Sequence, residues 1–369
     1  MNKIKHIMLA FILCIVFLVV SGCLYLGNDK FGKLPVKGRL AIIEQSPNYY
    51  GGYFHNQLKL NVIVKGGISI SGFIKFFFHE RDNPVPLGPV PIVKTDLKAI
   101  DKNTDMVVWL GHSSYYIQLQ GKTILIDPVF SSYASPFFFS TRAFEGTNCY
   151  AAEEMPDIDY LLISHDHWDH LDYDTVRALR PKVRHVVTGL GVGEHFALWG
   201  YPREIVHEQD WDTTLQLEDG LTIHVLTARH FSGRWLDRNK TLWVSFALET
   251  PSRRIYYSGD SGYGPQFKAI GERFGGFDLV LLDSGQYNEV WQHVHMMPEQ
   301  SAQAAEDLNA KAALPSHAGK FSIAYHSWDD PFRRFIKASQ GRTYRPVTPR
   351  IGEVVFLDNA DQVFSHWWE

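Results

Sequence analysis

The sequence predicts an α/β protein built from packed layers of sheet and helix, and three observations support this fold class. The 369 residues are 45% hydrophobic and 21% charged, which is enough apolar content for a large core. Short runs rich in β-branched and aromatic residues between positions 106 and 127 are punctuated like hairpins. Beyond them, apolar runs of strand length alternate with helical patterns as far as position 339, which indicates crossovers as well as hairpins.

Residues 1–23 differ in character from the rest of the chain. Lys3 and Lys5 precede an apolar run from Ile7 to Val20, which is shorter than the ~20 residues of a membrane-spanning helix, so we predict a signal peptide. The end of the run, Val20-Ser21-Gly22-Cys23, resembles the lipobox of bacterial lipoproteins and implies cleavage before Cys23 and lipid attachment to its thiol. The alternative is an uncleaved anchor in which Cys23 has no role. Both versions export the domain and hold it at a membrane.

Two further features bear on location and partners. Leu24 follows the cysteine and, by resemblance to lipoproteins of Gram-negative bacteria, indicates the outer membrane, facing the periplasm. The formal net charge of −4 gives no electrostatic case for binding nucleic acid, which calls for a basic patch. Because Cys14 lies in the signal and Cys23 is the lipid site, Cys149 alone remains, and the mature domain is expected to have no internal disulfide.

Residues 24–105 are predicted to form an extension that packs on the main domain. Its stretch Pro84–Pro91 cannot continue a helix or a central strand and is expected to run extended along the surface. Two aromatic clusters lie on either side of it: Phe73, Phe76, Phe77 and Phe78 before, and Phe137, Phe138 and Phe139 after. They fit a lipid-contacting surface or ordinary packing, and we favour packing.

The main domain, residues 106–369, is predicted to be a single unit. Gln120-Gly121-Lys122 joins two of its first strands as a hairpin, and helices separate most of the later ones. The predicted strands are Met106–Leu110, Ser114–Leu119, Thr123–Asp127, Tyr160–Ser164, His185–Thr188, Leu221–Ala228, Leu242–Glu249, Arg254–Ser258, Leu279–Asp283 and Ala312–Pro315. The predicted helices lie near Tyr173–Leu179, Val192–Trp199, Gln266–Phe274, Pro298–Leu308 and Pro331–Ser339.

One strand ends abruptly in a stretch rich in metal-type ligands, Ser164-His165-Asp166-His167-Trp168-Asp169-His170. A tight turn after the strand can aim His165 and His167 at one ion, and Asp169 and His170 at a second. Imidazole and carboxylate both suit zinc, and a site without thiolate is more often catalytic than structural. The stretch therefore predicts half of a dinuclear metal site. The alternative is a polar loop that merely happens to be rich in His and Asp.

Other stretches accompany this one in a recognisable order between about residues 106 and 335. They are Trp109-Leu110-Gly111-His112-Ser113, Ile124-Leu125-Ile126-Asp127-Pro128-Val129-Phe130-Ser131, Leu171-Asp172-Tyr173, Gly259-Asp260-Ser261-Gly262-Tyr263, and His293-Val294-His295 before Pro298-Glu299. Together they resemble the metallo-β-lactamase fold hydrolases, and within them the phospholipase D that hydrolyses N-acyl phosphatidylethanolamines and its bacterial lipoprotein relatives. The resemblance implies an αββα four-layer sandwich with two sheets face to face and helices outside.

The resemblance also implies a ligand set for two zinc ions, although other divalent metals fit the same donors. The first ion takes His165, His167 and His230; the second takes Asp169, His170 and His317; Asp260 bridges them. A hydroxide between the ions would be the nucleophile. His112 and Asp127 match residues that support such a site from behind, with Asp127 as a hydrogen-bond partner for a ligand imidazole. By pattern alone, His230 also fits a structural histidine and Asp260 a simple turn residue.

Two residues near the expected site leave alternatives open. His295 resembles a site histidine that contacts a phosphate oxygen or protonates the leaving group, but it also fits a histidine capping the helix start. Asp283, in Leu282-Asp283-Ser284-Gly285, departs from the more apolar strand end of the phospholipase relatives. It is expected either to hydrogen-bond the backbone or to disfavour an anionic phosphate.

The sequence thus predicts a zinc-dependent phosphodiesterase of the phospholipase D type that acts on N-acyl phosphatidylethanolamine-like lipids. The first alternative uses the same metals on a lactone or carboxylic ester. The second is a non-catalytic metal-binding surface lipoprotein. The seven candidate ligands argue against it, because a structural zinc is usually bound by four protein ligands that leave no position for water. The long extension and the His295 region disfavour a β-lactamase. The oligomeric state is not predicted.

Overall fold

Two mixed sheets form the centre of the computed structural model, which describes residues 2–36, 38–58, 83–218, 220–234 and 236–369. The first sheet contains β3 (Met106–Trp109), β4 (Tyr115–Leu119), β5 (Lys122–Ile126), β6 (Ile158–Ile163), β7 (Val183–Gly189), β8 (Val206–Gln209) and β16 (Val354–Phe356), in the spatial order β16-β3-β4-β5-β6-β7-β8. The second contains β9 (Thr213–Leu215), β10 (Thr222–Leu226), β11 (Ser245–Glu249), β12 (Arg254–Tyr257), β13 (Leu279–Asp283), β14 (Ala312–Ser316) and β15 (Arg345–Pro346), in the order β15-β14-β13-β12-β11-β10-β9. Strands β1 (Tyr49–Tyr50) and β2 (Tyr53–Phe54) form a separate hairpin.

Each sheet is antiparallel on one side and parallel on the other. Strands β16, β3, β4 and β5 pair antiparallel, whereas β5 to β8 pair parallel. Likewise β9 to β12 are antiparallel and β12 to β15 are parallel. Loops that follow parallel neighbours leave the sheet at the same edge, and ligands usually bind at that edge in open sheets of this kind.

The strands bury side chains on both faces, which is why they read as nearly continuous apolar runs. In β6, Tyr160 and Leu162 enter the core between the two sheets, whereas Leu161 and Ile163 face outward against helices. The same alternation in β13 sends Leu281 into the core between the sheets and its neighbours to the opposite face. Each sheet therefore has an apolar outer face that a helical layer must cover.

Helices cover these outer faces. Tyr173–Leu179 and Gly193–Leu198 pack on the first sheet. Gln266–Phe274, Pro298–Asp307 and Asp330–Ala338 pack on the second. The layers thus run helix, sheet, sheet, helix, and the predicted αββα sandwich is confirmed. Two more helices, Asn2–Leu26 and Gly38–Ile43, precede the sheets.

The predicted strands and helices of the main domain are present, with small shifts at their ends and one larger one. The strand predicted from Leu242 begins at Ser245, because Leu242 and Val244 bond backbone groups of the first sheet's loops, Leu190 and Ser164. Strands β8, β9, β15 and β16 were not predicted. They are two to four residues long, which is too short for a clear alternating pattern.

The N-terminal helix extends beyond the predicted apolar run. It continues without a break through Ser21, Gly22 and Cys23 to Leu26, so the segment His6–Leu26 is, by length and composition, long and apolar enough to cross a membrane. A signal sequence can have the same length and apolar composition, so the helix fits both the predicted signal peptide and the uncleaved anchor.

Part of the extension falls within the described residues. Leu87 in the proline-rich stretch is fully exposed and the stretch forms neither helix nor strand, as predicted. The cluster Phe73, Phe76, Phe77 and Phe78 lies outside the described residues. The expectation that the second cluster is packed is wrong for two of its members, since Phe138 is 76% and Phe139 73% exposed.

Candidate metal centre

The predicted ligands come from loops at one edge of the sandwich, where strands β6, β10, β12 and β14 end. The turn after β12 needs a glycine, because Gly259 has φ +56° and an added Cβ would lie 2.7 Å from the Val244 carbonyl oxygen. This turn exposes the Asp260 carboxylate. His112 and His317 also adopt positive φ, at 54° and 61°. Left-handed backbone at residues other than glycine is costly and clusters at functional sites.

A first cluster joins His165, His167, His230 and Asp260. The His167 Nδ1 atom lies 2.9 Å from His165 Nε2 and 3.2 Å from His230 Nε2. The Asp260 Oδ2 atom lies 3.7 Å from His165 Nε2 and 3.6 Å from His230 Nε2. The four ligand atoms all lie within 4.8 Å of one another and could hold a metal ion.

A second cluster joins His112, Asp169, His170 and His317. The Asp169 Oδ2 atom lies 2.8 Å from His112 Nε2, 3.1 Å from His317 Nε2 and 3.7 Å from His170 Nε2. The ligand atoms of these four residues also lie within 4.8 Å of one another and could hold a metal ion. His112, which the resemblance assigned to a supporting position, therefore lies among the candidate ligands themselves.

Asp260 faces both clusters with different oxygens. Its Oδ2 atom points to the first cluster, whereas its Oδ1 atom lies 3.1 Å from His170 Nε2 and 3.4 Å from His317 Nδ1 in the second. The side chain is 3% exposed, so this position is fixed inside the protein. A carboxylate with one oxygen directed at each group has the geometry of a bridging ligand.

The donor set fits metal ions. His170 Nε2, Asp260 Oδ1 and His317 Nδ1 are buried without a hydrogen-bond partner among the described residues. Unpaired buried polar atoms are costly and require an explanation. Two ligands of one tetrahedral zinc, each about 2.0 to 2.1 Å from it, lie about 3.3 Å apart. The separations of 2.8 to 3.7 Å between the ligand atoms of these clusters bracket this distance.

Neighbouring groups fix the orientation of the imidazoles. His170 Nδ1 donates to Asp127 Oδ2 at 2.8 Å, and Asp127 also accepts from Tyr257 and from the Ser164 backbone. His230 Nδ1 donates to the Val294 carbonyl at 3.0 Å. In both histidines the proton on Nδ1 leaves the Nε2 lone pair directed into the cluster. Partners of this kind hold metal-binding histidines in one tautomer.

Asp166, in the middle of the motif, does not face the clusters. Its Oδ1 accepts from the Gly233 amide at 2.7 Å, and its Oδ2 accepts from Thr241 at 2.8 Å and lies 3.3 Å from His195 Nε2. Arg234 donates to the Asp166 backbone carbonyl at 3.0 Å. Sequence reasoning missed this supporting network, because its members are scattered along the chain.

His295 lies beside the two clusters and is held by Asp283. Its Nδ1 lies 2.9 Å from Asp283 Oδ2 and 4.0 Å from Asp260 Oδ2. Asp283 is fully buried and also accepts from the Ser261 amide at 3.1 Å. The capping alternative for His295 is wrong, because the helix start is closed by a hydrogen bond from the Met297 amide to Gln300. The hydrogen bond to the backbone that was one expectation for Asp283 is present, with the Ser261 amide as donor.

Without metal, the three imidazoles of the first cluster are neutral. Burial lowers the pKa of His165, His167 and His230, to about 4 for His167. Neutral imidazole is the form that binds a metal, so these three side chains need not lose a proton at neutral pH.

Two histidines of the second cluster, His170 and His317, behave differently, whereas burial lowers the pKa of the third, His112, to about 4. Burial opposes the charged imidazole there too, but Asp260 and Asp169 outweigh it and raise the pKa of His317 to about 10 and that of His170 well above its usual range. Burial would raise the pKa of Asp260, yet His170 and His317 hold it well below its usual value. Without metal, these charges neutralise one another.

A family model described as the beta-lactamase superfamily domain matches residues 122–318, which is more than half of the chain. The chain belongs to this family. Relatives at lower similarity include proteins described as UPF0173 metal-dependent hydrolases, 27% identical to the chain. Membership of the family, with clusters of His and Asp side chains that could hold metal, makes the chain a metal-dependent hydrolase.

Several curated proteins are similar to the chain. An uncharacterized protein of Mycobacterium tuberculosis is 35% identical over 333 residues, 89% of each chain. The outer membrane protein RomA of Klebsiella pneumoniae is 63% identical over 102 residues, 28% of this chain and 77% of that protein. The N-acyl-phosphatidylethanolamine-hydrolyzing phospholipase D 1 of Caenorhabditis elegans is 32% identical over 233 residues, 58% of this chain and 64% of that relative.

Solved structures share the fold at low sequence identity. An isothiocyanate hydrolase from Delia radicum gut bacteria superposes with a TM-score of 0.53 and 19% identity over 68% of this chain and 98% of that one. The metallo hydrolase Igni18 of Ignicoccus hospitalis superposes with a TM-score of 0.52 and 20% identity. This match covers 68% of this chain and 97% of that one. Both likenesses concern the sandwich and do not extend to a substrate.

Proposed function

We propose that this hydrolase holds two zinc ions and cleaves the phosphodiester of membrane lipids in the manner of a phospholipase D, with N-acyl phosphatidylethanolamine-like lipids as substrates. The observation that carries the dinuclear site is the Asp260 carboxylate, whose two oxygens face two separate groups of ligand atoms. One bridging carboxylate between two open sites is the arrangement of two-metal hydrolases.

The proposed ligands follow the two clusters. His165, His167 and His230 would hold one ion, and Asp169, His170 and His317 would hold the other, with His112 beside them. Asp260 would serve as a ligand to both. When bound, the metals supply a water of lowered pKa and positive charge at the scissile phosphate. The chain's own residues must then hold these ligands, orient the substrate and deliver a proton to the leaving oxygen.

His295 is the proposed proton donor to the leaving oxygen. Its Nδ1 is engaged by Asp283, so the opposite ring nitrogen, Nε2, is available to the substrate. The His295 side chain is 12% exposed, whereas the Asp283 side chain behind it is fully buried. An alkoxide leaving group needs a proton, and a positioned imidazole can provide it. Asp283 acts through His295 as a positioning residue.

A lipid substrate is supported by two separate findings. The relatives named N-acyl-phosphatidylethanolamine-hydrolyzing phospholipase D, from worm and yeast, are 32% and 31% identical. The N-terminal helix His6–Leu26 is long and apolar enough for a membrane. We further propose export and attachment at the bacterial outer membrane, facing the periplasm, with lipid on Cys23 after cleavage, in line with the similarity to an outer membrane protein over 102 residues.

The test is hydrolysis by the full-length chain, purified in detergent and loaded with zinc. N-acyl phosphatidylethanolamine, a simple phosphodiester, a lactone and an aryl ester are offered in parallel. Asp260→Ala is the inactive control, and Asp361→Asn, an exposed position, is the control for mutation itself. Release of phosphatidic acid that is lost in Asp260→Ala and kept in Asp361→Asn supports the proposal.

Other outcomes select the alternatives. Cleavage of only the lactone or ester leaves the metal centre intact and replaces the phosphodiesterase with a carboxylic ester hydrolase. No turnover of any substrate by a chain that binds two metals favours the non-catalytic surface lipoprotein.

A further inference from the structure

The second aromatic cluster forms an exposed apolar surface at the end of the N-terminal helix. Phe138 and Phe139 are 76% and 73% exposed, and their rings contact each other at 5.4 Å. Phe137 stacks on Phe139 at 5.4 Å and on Tyr25 at 5.7 Å. We call Tyr25, Phe137, Phe138 and Phe139 the aromatic platform. Adjacent exposed aromatic rings of this kind mark interaction sites.

Polar contacts attach the platform to the helix. The Tyr25 hydroxyl donates to the Pro136 carbonyl, and the Lys30 ammonium contacts both of these groups. Tyr25 itself belongs to the helix Asn2–Leu26. The loop that carries the phenylalanines is therefore fixed to the last turn of the apolar helix.

The length of the helix determines where the platform lies relative to a bilayer. Its 21 residues from His6 to Leu26 span about 31 Å at 1.5 Å per residue, which matches a hydrocarbon core of about 30 Å. Tyr25 then lies at the boundary between lipid and water, where tyrosine and tryptophan are enriched. If the chain is instead cleaved before Cys23 and acylated there, the lipid enters two residues from Tyr25, at the same place.

We propose that the aromatic platform is a second membrane contact, in which Phe138 and Phe139 insert into the bilayer that holds the N-terminal anchor. Apolar rings inserted at the headgroup boundary add to the binding provided by a single anchor. The occupant is lipid because the platform is continuous with the anchor and cannot be moved away from the bilayer without breaking the Tyr25 contacts.

The platform is connected to the candidate metal centre through Phe31, and this part of the inference rests on the proposed function. Phe31 contacts Tyr25 at 5.9 Å and Trp168 at 5.4 Å, and Trp168 lies between two proposed ligands in the chain. Arg234 stacks on Trp168 at 3.8 Å and donates to the Lys30 carbonyl at 2.8 Å. The platform therefore holds the ligand loop close to the membrane, where a lipid substrate lies.

The test measures membrane depth without requiring hydrolysis. A full-length chain whose own cysteines are replaced by serine keeps the uncleaved helix as its anchor in place of lipid on Cys23. It carries Phe139→Cys, labelled with a nitrobenzoxadiazole dye, in phosphatidylcholine vesicles with nitroxide-labelled lipid. The matched control is Val363→Cys, an apolar residue 89% exposed on the C-terminal segment. We expect the label at position 139 to shift to the blue and to be quenched by the lipid nitroxide, with neither effect at position 363.

Each other outcome overturns the inference. Quenching at position 139 that is no stronger than at position 363 would show that the platform makes no membrane contact of its own. A blue shift at position 139 without lipid quenching would assign the platform to a second copy of the chain or another protein. Phe138→Cys repeats the measurement in case the first variant folds poorly. Because the readout needs no turnover, a failure here is distinguishable from a failure of the proposed phospholipase activity.

Discussion

At the residue scale, the pair of His295 and Asp283 offers a sharp test of mechanism. Asp283→Asn removes the charge that orients the imidazole but keeps the side chain's size. General acid catalysis is typically worth 10²- to 10⁴-fold, so we expect kcat for a substrate with an alkoxide leaving group to fall about 100-fold. A nitrophenyl phosphodiester, whose leaving group needs no proton, should lose only a few-fold. Steady-state kinetics on the two substrates measures the difference.

A structural role for Asp283 would have a different signature. Equal loss on both substrates, or loss of zinc measured by metal analysis, would contradict the positioning role. Asp283→Glu, which keeps the charge, is expected to restore part of the activity on the alkoxide substrate only.

The sequence indicates the candidate ligands more readily than their surroundings. His165, His167, Asp169 and His170 are adjacent in the chain, so one turn brings them together, as predicted. The placement of His112 among the candidate ligands could not be read from its own stretch, because it follows from a bridge between His112 and Ala318 that joins two distant loops. The sequence leaves two interpretations of His295 open, because only the fold brings Asp283 beside it.

At the element scale, the loop after β13 packs directly on the loop after β14. A Cβ at Gly285 would lie 1.9 Å from the His317 carbonyl oxygen, so the two backbones touch. We expect Gly285→Ala to displace His317 and to reduce bound zinc from two ions per chain to about one, or to prevent folding. Gly88→Ala, which has open space around its Cβ, is the control. Metal analysis and circular dichroism measure bound zinc and folding. Two zinc ions and full activity in Gly285→Ala would contradict the prediction.

Lys320 joins loops of the two sheets and makes stability depend on pH. It is 1% exposed and donates to the Val129 carbonyl at 2.7 Å, and burial lowers its pKa to about 8. Between pH 8 and the unfolded value of 10.5, the unfolded chain binds more protons, so stability from this group rises with pH. Relative to Lys320→Met, the wild-type free energy of unfolding should gain up to about 3 kcal/mol over this interval.

Denaturant unfolding of both chains at pH 7.5, 9 and 10 checks this prediction. Taking the difference between the two chains removes the titration of all other groups. Parallel pH profiles would show that Lys320 titrates normally in the folded protein.

Element prediction from the sequence succeeded where burial is two-sided and failed at sheet edges. Strands such as β6 and β13 carry a complete apolar run, and the prediction found both. The edge strands β8 and β9 are only half-buried and contain few apolar residues, so their extended backbone depends on a neighbour strand that local sequence does not reveal.

At the scale of the whole molecule, removal of metal separates a catalytic from a structural role. The apolar core between the sheets, which includes Trp109, Trp243 and Phe246, is formed without any ligand side chain. Protonated His170 and His317 can also balance the buried carboxylates once metal leaves. We therefore expect the chelated chain to stay folded while activity disappears.

Metal should nevertheless stabilise the fold by mass action. At a free zinc concentration about 1,000 times the dissociation constant, binding to the folded chain alone adds about 4 kcal/mol to the free energy of unfolding. Circular dichroism at 25 °C should then be unchanged by a chelator while the melting temperature falls, and added zinc should restore both the melting temperature and hydrolysis. Unfolding on chelation at 25 °C would instead mean that the two sheets depend on the metal to stay together, and the non-catalytic surface lipoprotein would become the better description.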